Sequence, residues 1–179
     1  MDRADTILVR RINGVRWLVR SSFLDTPGFD SLTRIGTDWH PPVRTRKERR
    51  RRRWSTLYRS AGDQVFLKYF LPRSRYERLK YLIRPSRASA EWRNARQLER
   101  LGVHVPVPLA WGERRGAAGW RQSLLVTEAL PGAPTLLQWS ESRHGDAEVR
   151  SLRQKLARDV AVMHEHGLFH RDLHGDNVL

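Results

Sequence analysis

There is no cysteine in the 179 residues, so disulfide frameworks, thiolate metal sites and cysteine nucleophiles are excluded at once. Long hydrophobic runs are missing too. Nothing approaches the roughly 18 apolar residues of a spanning helix, and Met1 to Arg11 is charged and lacks the apolar stretch of a secretory signal. Acidic residues are scarce, 19 Asp plus Glu against 34 Lys plus Arg, for a formal net charge of +15. That excess favours anionic partners, whether nucleic acid, phosphorylated lipid or an anionic membrane face, and carries no information about fold. The expectation is a soluble, cytoplasmic protein able to rest on a membrane surface.

What is present suffices for a core: the chain is 39% hydrophobic and of single-domain length. Ile7-Leu8-Val9 and Val15 to Val19 flank Asn13-Gly14, which predicts a hairpin over Thr6 to Arg20. Ser21 to Pro42, with scattered polar residues and two prolines after His40, reads as an irregular connection. Val43 to Arg53 holds eight basic residues and one Glu, and reads either as a solvated, self-repelling segment or as a phosphate-binding surface. Trp54 to Arg59 and Gln64 to Phe70, joined by Ser60-Ala61-Gly62-Asp63, predict a second hairpin.

Ala88, Trp92, Ala95, Leu98 and Leu101 have helical spacing over Ser86 to Leu101, with Glu91 on the same stripe and Gly102 placed to end the helix. Val107 to Trp111 and Trp120 to Glu128 predict a further hairpin, with Arg114 to Gly119 between them and Leu124-Leu125-Val126 buried. A last helix is expected from about Glu148 to His166, with Val149, Leu152, Leu156, Val160 and Met163 on one face.

Behind that helix stands His170-Arg171-Asp172-Leu173-His174-Gly175-Asp176-Asn177, an H-R-D-L motif followed by Asn five residues after Asp172. In such a loop the aspartate orients an acceptor hydroxyl and the asparagine oxygen binds a magnesium ion bridging ATP phosphates. Asp172, with Arg171 and His170 beside it, is therefore the candidate catalytic group, and Asn177 the candidate metal ligand. Zinc binding by His164, His166, His170 and His174 competes poorly, because His170 and His174 straddle a loop rather than one face of a helix. His164 is expected to be packed at the helix end, and His166 and His174 to be polar loop residues.

The upstream parts fall in a matching order. Val65-Phe66-Leu67-Lys68 is an alternating strand ending in a lysine suited to clamp phosphates, and Glu91 is placed to hold that lysine. Taken singly, a strand lysine is more often a solvated edge residue and a helix glutamate a surface one; their order carries the reading. Glu128, Ala129 and Leu130, after the buried strand, stand where backbone groups could meet adenine.

From about Arg44 to Leu179 the chain resembles the lipopolysaccharide core kinases, the Kdo and heptose kinases of the protein-kinase-like superfamily. The likeness rests on the arginine-rich approach to Val65-Phe66-Leu67-Lys68-Tyr69-Phe70, on Ala90-Glu91-Trp92-Arg93-Asn94, on Val105-Pro106-Val107-Pro108 and on the H-R-D-L-H loop. It implies an α+β fold with an antiparallel-sheet N-lobe and the start of a helical C-lobe. It also implies use of ATP and Mg2+, and phosphorylation of a sugar hydroxyl of lipopolysaccharide at the inner face of the cytoplasmic membrane.

The segments expected are 1–42 for the N-terminal hairpin and connection, 43–130 for the N-lobe and 131–179 for the start of the C-lobe. Two departures stand out. No G-x-G-x-x-G precedes Lys68, so the basic run from Arg44 to Arg53 would have to contribute charge instead; no D-F-G follows the loop before Leu179, so the chain is expected to be a fragment or a degenerate relative, inactive alone. The alternatives are a non-catalytic kinase-like module that binds an anionic partner, and another kinase-like small-molecule or protein kinase. Nucleic acid is not favoured, since no recognised motif for it occurs.

Overall fold

Asn13 and Gly14 both take positive φ, 51° and 74°, as a tight primed turn requires, and fold Ile7–Ile12 (β1) back onto Val15–Arg20 (β2). A computed structural model of the chain describes residues 5–34, 53–60, 63–71, 84–116, 119–169, 174, 175 and 178. They fall into two compact units: Met1–Ala95 with Pro106–Ala129, and Arg96–Val105 with Leu130–Leu179.

The first unit holds one six-stranded sheet. Arg53–Ser60 (β3) pairs with Asp63–Phe70 (β4) from Arg53↔Phe70 to Ser60↔Asp63, as the turn chemistry predicts. Pro108–Gly116 (β5) pairs with Gly119–Glu128 (β6), and the strand order is β1-β2-β5-β6-β4-β3, antiparallel throughout. The N-terminal hairpin thus joins the main sheet through β2 and β5. One boundary differs from expectation: Arg114 and Arg115 belong to β5 rather than to the turn, because pairing runs on to Gly116↔Gly119.

Alternation along β4 sends Val65, Leu67 and Tyr69 to one face of the sheet, where they pack with Trp17, Val19, Ala110, Leu124 and Val126. Two helices supply the other side of this core, Ser21–Leu24 (α1) and Pro27–Arg34 (α2), a correction to the irregular connection expected over 21–42. Its cause is apolar anchoring: Phe23, Phe29 and Leu32 are buried, and Phe29 meets the Trp17 ring edge-on at 5.3 Å. Thr26 Oγ1 accepts the Phe29 N–H at 3.2 Å, while Pro27, which has no N–H to leave unpaired, opens the helix. Residues 35–42 lie outside the described residues, as does the basic run at 43–52.

The opposite face carries a smaller core of Phe70, Trp111 and Leu125, covered by Ala88 and Trp92 of Arg87–Arg100 (α3). A buried arginine ties the start of the chain to this sheet. Arg20 Nε donates to the Pro108 carbonyl at 2.6 Å and Nη1 to Asp5 Oδ2 at 3.1 Å. Asp5 also accepts from Ser21 Oγ and from the N–H and Oγ of Ser22, between 2.8 and 3.0 Å. Partial burial alone would raise the Asp5 pKa, but these donors outweigh it and hold the carboxyl at about 2, below its ordinary 3.8.

In the second unit α3 ends in a Schellman turn: Gly102 has φ 74°, Val103 N–H donates to Leu98 O at 3.0 Å and Gly102 N–H to Glu99 O at 3.1 Å. Leu136–Ser140 (α4) starts at a capping box in which Thr135 and Gln138 bond reciprocally. Asp146–Glu165 (α5) carries the expected stripe, and Val149, Leu152, Leu156, Val160 and Met163 are all half-buried.

Candidate active site

Lys68 is not on a sheet edge. Its strand, β4, lies between β3 and β6, with Lys68 opposite Leu125 on one side and Ser55 on the other. The register continues across the sheet as Leu125↔Trp111 and Trp111↔Leu18, so Lys68 ends an apolar row on the face covered by α3. Burial of Ala88 and Trp92 turns α3 so that Glu91 faces this row. Lys68 Nζ lies 3.3 Å from Glu91 Oε2, the two side chains being 30% and 35% exposed.

A flexible ammonium on a four-carbon stem is thereby fixed by one carboxylate and a wall of apolar side chains. Its three N–H donors exceed what a single contact uses, and partial exposure leaves it reachable by an anion. This is the pair of groups expected from strand and helix order, brought together by packing.

Glu128 is already engaged. Its N–H donates to Val107 O at 2.9 Å, its carboxylate accepts the Val107 N–H at 2.8 Å, and its carbonyl accepts from Thr127 Oγ1 at 3.2 Å. These bonds lock the end of β6 to the residue before β5. Leu130 is 42% exposed and its carbonyl accepts the Ala133 N–H at 3.3 Å.

His170, Arg171, Asp172 and Asn177 lie outside the described residues. The described residues of their loop are His174, which is exposed, Gly175 and Val178. Here α4 makes contacts that no sequence pattern pointed to: Leu136 N–H donates to Val178 O at 2.8 Å, and a Cβ on Gly175 would come within 3.2 Å of Leu137 N. The local signal for a helix start here, missed in the sequence, is the Thr135-x-x-Gln138 capping box. His164, expected to be packed, is exposed, with its ring 5.1 Å from that of Phe169. His166 Nδ1 lies 2.9 Å from Val162 O. Among the described residues no three His, Cys, Asp or Glu side chains group as metal ligands.

Glu113 was also missed. It is 4% exposed on β5, on the α3 face of the sheet, with Oε1 held by Arg115 Nε. Its Oε2 and the hydroxyl of Ser123, directly across on β6, are buried without a hydrogen-bond partner among the described residues. Such a site is invisible before the strand register is known.

The model of the lipopolysaccharide kinase (Kdo/WaaP) family matches residues 28–179. No curated protein and no solved structure matches the chain.

Proposed function

The chain belongs to the lipopolysaccharide kinase (Kdo/WaaP) family, and from that premise we propose that it transfers the γ-phosphate of ATP to a sugar hydroxyl of the lipopolysaccharide core. The observation that carries this reading is the Lys68–Glu91 contact at 3.3 Å on the α3 face of the antiparallel sheet. It supports a kinase-like N-lobe whose lysine is held ready for nucleotide phosphates.

In this reading Lys68 binds the α- and β-phosphates, and Glu91 keeps its ammonium oriented when nucleotide leaves. Glu128 has its N–H and carboxylate committed to Val107, which leaves its carbonyl and the backbone groups of Ala129 and Leu130 for adenine. Asp172 accepts a hydrogen bond from the acceptor hydroxyl and orients it for attack, while Arg171 and His170 hold the loop. Phosphoryl transfer asks little covalent chemistry of a protein, so positioning by these residues is most of the catalysis. The Asn177 side chain offers a hard amide oxygen, a donor that fits magnesium. Magnesium held there supplies charge neutralisation on the transferring phosphate.

The proposed reaction site is the cytoplasmic face of the membrane. No helix among the described residues is long and apolar enough to cross one.

The test is transfer of label from γ-labelled ATP to lipopolysaccharide core. Asp172→Asn is expected to lower turnover by about 10²- to 10⁴-fold, while Mg-ATP still raises the melting temperature. Undiminished transfer by that variant would remove Asp172 from the mechanism. Transfer to another acceptor but to no core sugar would make the substrate assignment fail.

A further inference from the structure

Residues 7–20 precede the stretch matched by the family model, yet they extend the sheet by two strands and bring an unusual group of arginines together. Arg11 on β1 and Arg16 on β2 are direct cross-strand partners, and both are exposed. The next residue in that row is Glu113 on β5, opposite Arg16. Glu113 is held by Arg115 through one oxygen, and its other oxygen is buried without a hydrogen-bond partner among the described residues. Neither Arg11 nor Arg16 makes an ion pair among the described residues. Arg115, 59% exposed, adds a third guanidinium, its charge offset by Glu113.

Like charges placed directly across an antiparallel pair destabilise it, so this arrangement works against the fold. Protection of an edge strand by charge accounts for Arg10 and Arg11 on β1. It does not account for Arg16, which lies on an inner strand. Two residues before Arg11, on the same face, Val9 is 52% exposed, an apolar side chain beside the charged ones.

We propose that this corner of the sheet, Arg11, Arg16 and Arg115 with Val9, docks the protein on the phosphates of an anionic phospholipid bilayer. Guanidinium groups pair with lipid phosphates bidentately, and an exposed valine at the rim enters the headgroup layer. A nucleic acid would satisfy the arginines but not Val9, and no exposed aromatic side chain among the described residues of β1, β2 and β5 offers bases a stacking surface. The inference rests on the kinase reading only in placing the acceptor in a lipid surface.

The test is sedimentation of the full chain with phosphatidylcholine vesicles, with and without phosphatidylglycerol. Arg11→Ser with Arg16→Ser is expected to weaken binding to the anionic vesicles roughly 25-fold, about fivefold per arginine, and Arg11→Lys with Arg16→Lys to restore most of it. Arg150→Ser with Arg153→Ser, an equal loss of charge on exposed positions of α5, should change binding less than about twofold. Equal losses in the two serine pairs would mean that diffuse charge, not this corner, is responsible, and the proposal falls. It also falls if the wild-type chain ignores anionic vesicles, or binds only single-stranded oligonucleotides through the same arginines. The Mg-ATP melting shift, read on the same variants, should be unchanged; a docking failure with that shift intact counts against the corner and leaves the nucleotide reading standing.

Discussion

Lys68 and Glu91 stand 23 positions apart in the chain and meet at 3.3 Å because each is fixed by neighbours that have nothing to do with phosphate. Leu125 and Trp111 set the row in which Lys68 ends, and Trp92 sets the rotation of the helix that presents Glu91. Both side chains are about one-third exposed, so the pair itself contributes little to stability, on the order of 0–1 kcal/mol. Glu91→Gln is therefore expected to leave the melting temperature nearly unchanged while weakening Mg-ATP binding. A large loss of stability with nucleotide binding intact would make the contact structural. Asp5 is different in kind. Its folded pKa of about 2 lies below the ordinary 3.8, so the stability it contributes is complete above about pH 4 and is lost as pH falls through about 2. Asp5→Asn should lower stability by ~1–2 kcal/mol at neutral pH and flatten the acid limb of the unfolding curve, measured by denaturant titration across pH.

Among the elements, the hairpins were legible because their signals are local. Asn13-Gly14 demands a primed turn, and Val65-Phe66-Leu67-Lys68 alternates as a half-buried strand does. The two helices after β2 were not legible, since Phe23, Phe29 and Leu32 span too short a stretch for periodicity to decide. What decides is tertiary: the rings find Trp17 and the sheet face beneath it. The same packing sets two glycines. A Cβ at Gly112 would meet the Trp17 ring at 2.9 Å, and a Cβ at Gly28 would meet Asp63 Oδ2 at 2.6 Å, where the Gly28 N–H donates to that oxygen. Gly112→Ala must displace a fully buried indole and should cost ~1–3 kcal/mol, read as a drop in melting temperature of roughly 2–12 °C. Gly28→Ala is expected to cost a similar amount, because its Cβ would also meet Asp63 Cβ at 2.9 Å, an atom fixed to the backbone of β4. A loss at only one of the two positions would mean that the other seat yields.

At the scale of the whole molecule, the order of strand lysine and helix glutamate pointed to the Lys68–Glu91 contact before any fold was known, while His170, Arg171 and Asp172, read from their motif alone, lie outside the described residues. The sheet order that puts Lys68 on an inner strand was not readable, because pairing of β4 with β6 across α3 and β5 leaves no mark in local sequence. Nor was the arginine corner, which exists only once β2 pairs with β5. Arg11 and Arg16, two of the 34 basic residues, stand in a hairpin that precedes the family-matched stretch. The account turns on Lys68 as the phosphate clamp, and the most direct measurement is the melting temperature of the chain with and without Mg-ATP, for wild type and Lys68→Met. At a nucleotide concentration about 100 times Kd, wild type should gain about 2.7 kcal/mol, a rise of roughly 5–11 °C, and Lys68→Met should lose most of that rise. An equal rise in both proteins, or none in wild type, would contradict the account.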